Sequence, residues 1–159
     1  MDAALRAAPH GLAFALRPER HSYGLIQETG EFVANVPSAR EAWATDYCGV
    51  ASGRKVDKFK RTGLTAGPAD AVRPPILLEC PLNLECRVRH TQALGSHTLF
   101  LAEIVAVQAS ADLLDAKGRF ALEKAGLLAY AHGHYYELGR QLGHFGFSVK
   151  KRQPRKARG

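Results

Sequence analysis

Two apolar runs near the middle of the chain constrain the fold most. "LNLECRVRHTQAL" (82–94) and "SHTLFLAEIVAVQAS" (96–110) meet at Gly95 and each is long enough to cross a whole sheet. In the second run Leu99, Leu101, Val105 and Val107 alternate with Phe100, Ala102, Ile104 and Ala106, so both faces are largely apolar. That pattern predicts a central strand covered on both sides, or one lying at a subunit interface. The runs before and after are short. "GLAFALRP" reads as a strand stopped by Pro18, and "EFVANV" as a second strand closed by Pro37. "SYGLIQETG" reads as a short helix with Ser22 as N-cap and Gly30 as its stop. Ser38 and Glu41 are spaced as a capping box, which opens the helix "AREAWATDY". A third short helix is expected around "RKVDKFKR", ending at Gly63, followed by a Pro-rich loop, "GPADAVRPP". "LLDAKGRF" reads as a turn, and "LLAYAHGHYYELGRQLG" mixes strand and helix signals. Many strands with short helices indicate a mainly β domain, a barrel or an α+β arrangement, and not an alternating βαβ sheet.

At 159 residues the chain makes one domain with a real core. The net charge of +7 is unevenly placed: six cations of "KKRQPRKARG" leave about +1 for the remainder. The expectation is a balanced body over residues 1–149 and a basic, disordered tail over 150–159, with nucleic acid an unlikely partner. Three cysteines, Cys48, Cys80 and Cys86, are odd in number and lack CxxC spacing, which fits reduced thiols in a cytoplasmic protein. No run approaches the roughly 18 apolar residues of a membrane span.

Seven histidines raise the question of a metal, but no HExxH motif or Cys/His pairing occurs, so no metal site is expected. Cys48 lies near Arg54, Lys55 and Lys58, cations that would lower a thiol pKa, yet its segment holds no histidine base; packing is the preferred role. Phosphate binding has more support. "GVASGRKVDK" sets Gly49, Ser52 and Gly53 before a cationic helix, and glycine lets backbone N–H groups approach an anion. The P-loop and Rossmann spacings are both absent. "LRPERHS" supplies a second basic turn, with Arg17, Arg20 and Ser22 at a helix start. Two such turns suit a phosphorylated cofactor at the end of a sheet.

The ordered motifs "GEFVANVPS", "CGVASGRKVDKF" and "LGSHTLFLAEIVAV" resemble the flavin reductase-like, FMN-binding split-barrel family, and its flavoredoxin-like branch in particular. The resemblance runs from about Pro9 to Lys150. It implies a six-stranded Greek-key barrel, a homodimer, and one FMN near each subunit interface. It places Ser22 at the FMN phosphate with Arg17 or Arg20 nearby, and Lys58 with the Ser52–Gly53 turn on the cofactor. His97 and Tyr130 take the positions that approach the isoalloxazine ring, His97 as the catalytic candidate. The implied activity is that of an FMN-binding oxidoreductase, a flavin reductase or a flavoredoxin-like carrier, using electrons from NADH or NADPH and passing them to flavin or a redox partner protein.

Family members normally carry two further strands ahead of the segment matching "HGLAFALRP", and "MDAALRAAP" stands there instead. The expectation is an N-terminally truncated barrel, arising either from a start codon placed too late or from a real truncation of the copy. The alternative reading is accordingly a non-catalytic split-barrel protein with weak or no flavin binding.

Overall fold

The computed structural model describes residues 10–149; the basic tail expected over 150–159 lies outside the described residues. Strand β1 (Gly11–Leu16) leads into helix α1 (His21–Thr29), strand β2 (Glu31–Val36) and helix α2 (Ala42–Val50). Helix α3 (Lys58–Thr62) precedes a two-residue ladder of β3 (Ala66–Gly67) and β4 (Ile76–Leu77). The two long runs form β5 (Leu82–Ala93) and β6 (Thr98–Ala109), and the ambiguous C-terminal stretch resolves into a hairpin of β7 (Leu128–Ala131) and β8 (His134–Glu137). The protein is mainly β, as the residue pattern requires.

The main sheet has four antiparallel strands in the order β1-β6-β5-β2. Among the described residues this sheet holds four strands, where the resemblance implies a six-stranded barrel. β6 is central, as its two apolar faces predict. The sheet curls. The β5–β6 ladder shifts register twice, with Val105 the extra residue on β6 and Arg89 the extra residue on β5, and extra residues of this kind bend a strand and increase its twist. Curling brings the edge strands face to face: the Phe14 ring on β1 packs edge-on against Phe32 on β2, with centroids 4.9 Å apart. Phe14 also stacks on Phe100 of β6 at 5.1 Å, and Tyr23 of α1 meets Phe100 edge-on. Phe100 has no exposed surface, and burying such a ring stabilises by roughly 1.5–3 kcal/mol.

Two local expectations need correction. Ser22 is not the N-cap of α1. Pro18 and Glu19 form the middle of a turn closed by the Arg20 N–H on the Arg17 carbonyl at 3.0 Å, which leaves Arg20 extended and in the cap position. Ser22 becomes the second residue of the helix. The cationic helix after Ser52 is also shorter than expected. α3 starts only at Lys58, so Arg54 and Lys55 belong to the turn before it, and Gly49 sits in the last turn of α2.

The capping box is present. The Ser38 amide and hydroxyl both donate to Glu41 Oε2, at 3.0 and 2.6 Å, and the Arg40 amide donates to Ser38 Oγ. It opens a 3-10 turn (Ala39–Glu41) that continues into α2. Removing the hydroxyl leaves the Arg40 amide without its acceptor and Glu41 without one of its two donors. Ser38→Ala is expected to lower stability by about 1 kcal/mol in a urea melt; a loss below about 0.3 kcal/mol contradicts the assigned role.

Candidate functional site

The turn after β1 presents its cations at one end of the sheet. Antiparallel pairing of β1 with β6 ends at Leu16 opposite Thr98, so Arg17 and His97 leave the sheet at the same end. Arg17 is exposed and forms an ion pair with Glu19 at 2.6 Å. Arg20 caps α1 by its backbone. Among the described residues no side chain caps this helix, and its first turn contains no acidic residue. The Tyr23 amide donates to the Arg20 carbonyl at 3.1 Å, which leaves the amides of His21 and Ser22 available to an anion beside the exposed Ser22 hydroxyl.

The second turn lies against the first. A methyl group added at Gly53 would stand 3.0 Å from Cδ2 of the His21 ring, so Gly53 allows the segment after α2 to close on the start of α1. Ser52 is half-buried. Its hydroxyl accepts the Arg54 amide at 3.3 Å and its carbonyl accepts the amides of Lys55 and Val56 at 2.9 and 3.2 Å. Lys58, also half-buried, donates from Nζ to the Cys48 carbonyl at 2.6 Å, tying α3 to the last turn of α2. An ammonium has three N–H donors, so this bond leaves two for another acceptor. The start of α3 offers nothing comparable to α1, because Asp57 already accepts the Lys60 amide at 3.1 Å.

His97 is half-buried at the β5–β6 turn, with Nδ1 at 2.9 Å from the Ser96 hydroxyl. Either partner can donate. When Ser96 donates, Nε2 carries the ring proton outward, and when Nδ1 donates, Nε2 becomes an acceptor. Tyr130 lies elsewhere: it is exposed on the β7–β8 hairpin with its ring edge-on to Tyr135 at 5.1 Å. The Tyr135 phenol donates to Asp46 on α2 at 3.2 Å, and no hydrogen bond or ring contact joins Tyr130 to His97 or Ser22. The structure therefore brings the Ser52–Gly53 turn against the Arg17–Ser22 turn through Gly53 and His21. Lys58 stands on the helix after the former, and His97 at the same sheet end as Arg17. Among the described residues no hydrogen bond or ring contact joins Tyr130 to them.

Thiol chemistry finds no support in the buried cysteines. All three cysteines are free. Burial pushes the Cys80 thiol up to about 11, with the charges of Glu41 and Glu79 adding to it; Cys86 is likewise pushed up to about 11 by burial and then by Glu85. Both remain protonated at neutral pH. Among the described residues no group of three or more His, Cys, Asp or Glu side chains is arranged to hold a metal ion. No helix among them is long and apolar enough to cross a membrane. A groove of about 560 Å³ runs between β1 and β2, with Ser22 on its rim and Leu12, Phe14, Phe32, Pro74 and Pro75 along its walls.

Comparison with known proteins gives the same fold a family. The model of the flavin reductase like domain matches residues 3–139. The chain belongs to that family. Flavoredoxin of Desulfovibrio vulgaris (Miyazaki F) is similar at 30% identity and a TM-score of 0.81, over 88% of this chain and 76% of that one. Flavoredoxin from Methanosarcina acetivorans is similar at 28% identity and a TM-score of 0.77, over 94% and 81% of the two chains. An uncharacterized protein of Archaeoglobus fulgidus is 38% identical over 106 residues, which are 65% of this chain and 58% of that one. The chain thus spans little more than half the length of that curated relative.

Within this flavin reductase like domain, every site residue expected from the sequence, Arg17 to Tyr130, falls inside the matched region. Two residues were missed. His21 forms the wall against which Gly53 closes, and the Ser96 hydroxyl holds Nδ1 of His97 at 2.9 Å. Both adjoin residues that had drawn attention, His21 inside "LRPERHS" and Ser96 beside His97, but only the folded chain assigns them a contact. The residues fit a phosphorylated cofactor: the open end of α1 meets two cationic turns with no carboxylate in the helix's first turn.

Proposed function

We propose that this protein is an FMN-binding oxidoreductase, a flavin reductase or flavoredoxin-like carrier that works as a cytoplasmic homodimer. It takes electrons from NADH or NADPH and passes them to flavin or to a redox partner protein. The observation that carries this reading is the meeting of the two basic turns, through Gly53 and His21, at the uncapped start of α1. There the first amides of α1 and the Ser22 hydroxyl would donate to the FMN phosphate, while Arg20 and Arg17 balance its charge. Lys58 would use its remaining donors on the cofactor and hold the Ser52–Gly53 turn in place. His97 would present Nε2 to the isoalloxazine ring, with Nδ1 held by the Ser96 hydroxyl. Tyr130 is the aromatic candidate for the ring face. Bound FMN would supply the redox chemistry as a hydride acceptor.

The first test is the visible flavin spectrum of the purified protein, followed by titration with FMN and addition of NADH or NADPH. No binding of FMN up to millimolar concentration rejects the reading. Two substitutions separate the roles. Lys58→Ala is expected to weaken FMN binding about tenfold, roughly 1.4 kcal/mol. His97→Ala is expected to lower turnover at least about tenfold while the FMN Kd changes by less than about threefold. Negligible effects of both would remove the assignment.

One observation favours a second reading. The apolar groove between β1 and β2 is open, so these residues alone do not close a barrel. A non-catalytic split-barrel protein with weak or no flavin binding is what a negative titration would indicate.

A further inference from the structure

Residues 51–63, "ASGRKVDKFKRTG", hold five cations against one acid, in a body whose net charge is only about +1, so the rest of that body is net negative. The excess is exposed and unanswered. Arg54, Lys55, Lys60 and Arg61 all reach solvent, and among the described residues none of the four forms an ion pair. Cations on the sheet and in the later turn are matched instead: Arg73 and Arg87 pair with Glu31, Arg89 with Glu103, and Arg119 with Asp115. The acid of the stretch, Asp57, uses a carboxylate oxygen to accept the Lys60 amide at 3.1 Å.

Apolar side chains stand among these charges. Trp43 and Val50 share one face of α2 by helical spacing and are 57% and 78% exposed, and Phe59 on α3 is exposed as well. The two helices are tied together. Lys58 Nζ donates to the Cys48 carbonyl, and Arg61 lies over the Trp43 and Tyr47 rings, 5.9 Å from each centroid. An apolar centre with a cationic border is the plan of a protein-docking surface. It suits a nucleobase less well, because a base needs an open ring face. Trp43 is already stacked on Tyr47, with centroids 5.4 Å apart, and Val50 offers only aliphatic surface. The face also begins where the proposed cofactor site ends, since Arg54 and Lys55 follow directly on Ser52 and Gly53.

We propose that this α2–α3 face docks a small protein with an acidic surface, the electron-carrying partner of the functional reading. The inference rests on that reading for the partner's redox role, while charge and exposure alone define the surface. Arg54, Lys55 and Lys60 steer an acidic face into register, and Trp43 and Val50 supply the contact that holds it. Docked there, a carrier stands beside the Ser52–Gly53 turn and so beside the proposed flavin. The contact is of the small, short-lived kind, below about 1,200 Å² in total. Salt weakens it, because exposed charges are screened beyond about 10 Å at 0.1 M.

The test is titration of the full chain with a small acidic ferredoxin, by calorimetry, at about 20 mM salt and again at about 300 mM. The parent is expected to bind with a micromolar Kd at low salt and at least about tenfold more weakly at high salt. K60E is expected to weaken low-salt binding at least about fivefold. K117E makes the same change in net charge in the 115–119 turn and should weaken it less than about twofold. Trp43→Ser should weaken binding about tenfold at both salt concentrations, with a far-ultraviolet circular dichroism spectrum like the parent's. The basic tail is common to every sample, so differences between variants report the face. No binding of the ferredoxin at low salt overturns the proposal, and so do equal effects of K60E and K117E, which would reduce the attraction to net charge. A single-stranded oligonucleotide that binds more tightly than the ferredoxin and is equally weakened by K60E also overturns it, in favour of nucleic acid. Flavin titration of the same samples is a separate readout. A parent that binds ferredoxin but no FMN rejects the functional reading and leaves the docking face standing; one that binds FMN but no ferredoxin does the reverse.

Discussion

Ser22→Asp is expected to melt no lower than the parent protein and to bind FMN at least about 100-fold more weakly. The two effects separate because they arise from different charges on the same helix end. α1 opens with no side-chain cap and no acidic residue in its first turn, so a carboxylate at its second residue interacts favourably with the helix dipole, by about 0.3–1 kcal/mol. The same carboxylate would stand where the cofactor phosphate is proposed to sit. Like charges about 4 Å apart near a protein surface repel by up to roughly 4 kcal/mol per pair, and tenfold in affinity takes only about 1.4 kcal/mol. Riboflavin is the control, since it lacks the phosphate: its affinity should change by less than about threefold. Equal weakening of FMN and riboflavin would show that Ser22 acts through the shape of the site and not through a phosphate. No weakening of either would remove the Arg17–Ser22 turn from the site.

What the sequence revealed about this site was decided by range. The capping box at Ser38 and Glu41, the Gly30 and Gly63 helix stops and the two long strands depend on residues close in the chain, and all are present in the fold. The family motifs were equally legible, because they are contiguous. The Ser22 cap failed for a local reason that composition does not carry: the turn at Pro18 closes one residue pair earlier than the serine, and Arg20 takes the extended geometry. The contact between Gly53 and His21 joins segments far apart in the chain, and no spacing rule anticipates it. Nor could the curl that sets Phe14 on Phe32 be read from either strand, since it depends on register shifts in the β5–β6 ladder that lies between them. The hairpin of β7 and β8 gave mixed signals because β8 is exposed along its whole length and so lacks the one-sided burial that makes a strand periodic.

The largest loss of stability is expected at Glu85, a wholly buried carboxylate in the middle of β5. Its oxygens accept the amides of Asp70 and Ala71 at 3.0 and 2.6 Å and the Gln108 side chain at 2.9 Å. These bonds hold down the loop that continues to Pro74 and Pro75, which wall the groove beside Ser22. Arg87 reinforces the same loop through the Ala71 carbonyl at 2.6 Å. Glu85→Ala leaves two backbone donors and one amide without their acceptor, a loss of roughly 3–5 kcal/mol from a total of about 5–15 kcal/mol. Glu85→Gln keeps the shape but turns an NH2 toward a backbone N–H, and about 2–3 kcal/mol is expected to be lost. Acid supplies an independent check. Burial raises the Glu85 carboxyl, but the amides of Asp70 and Ala71 and the Gln108 side chain outweigh it and hold the group below the ordinary carboxylate value. A folded-state value depressed in this way means that the stabilisation is complete above the unfolded value, about 4.3, and disappears as pH falls through the folded one. Glu31, held down chiefly by the Arg73 amide, contributes in the same direction, so the pH dependence should shrink in Glu85→Gln without vanishing. Urea melts from pH 7 to pH 3 should therefore show parent and variant converging as the solution is acidified. Curves that stay parallel across that range would mean that the Glu85 charge does not hold the loop, whatever the variant loses at pH 7.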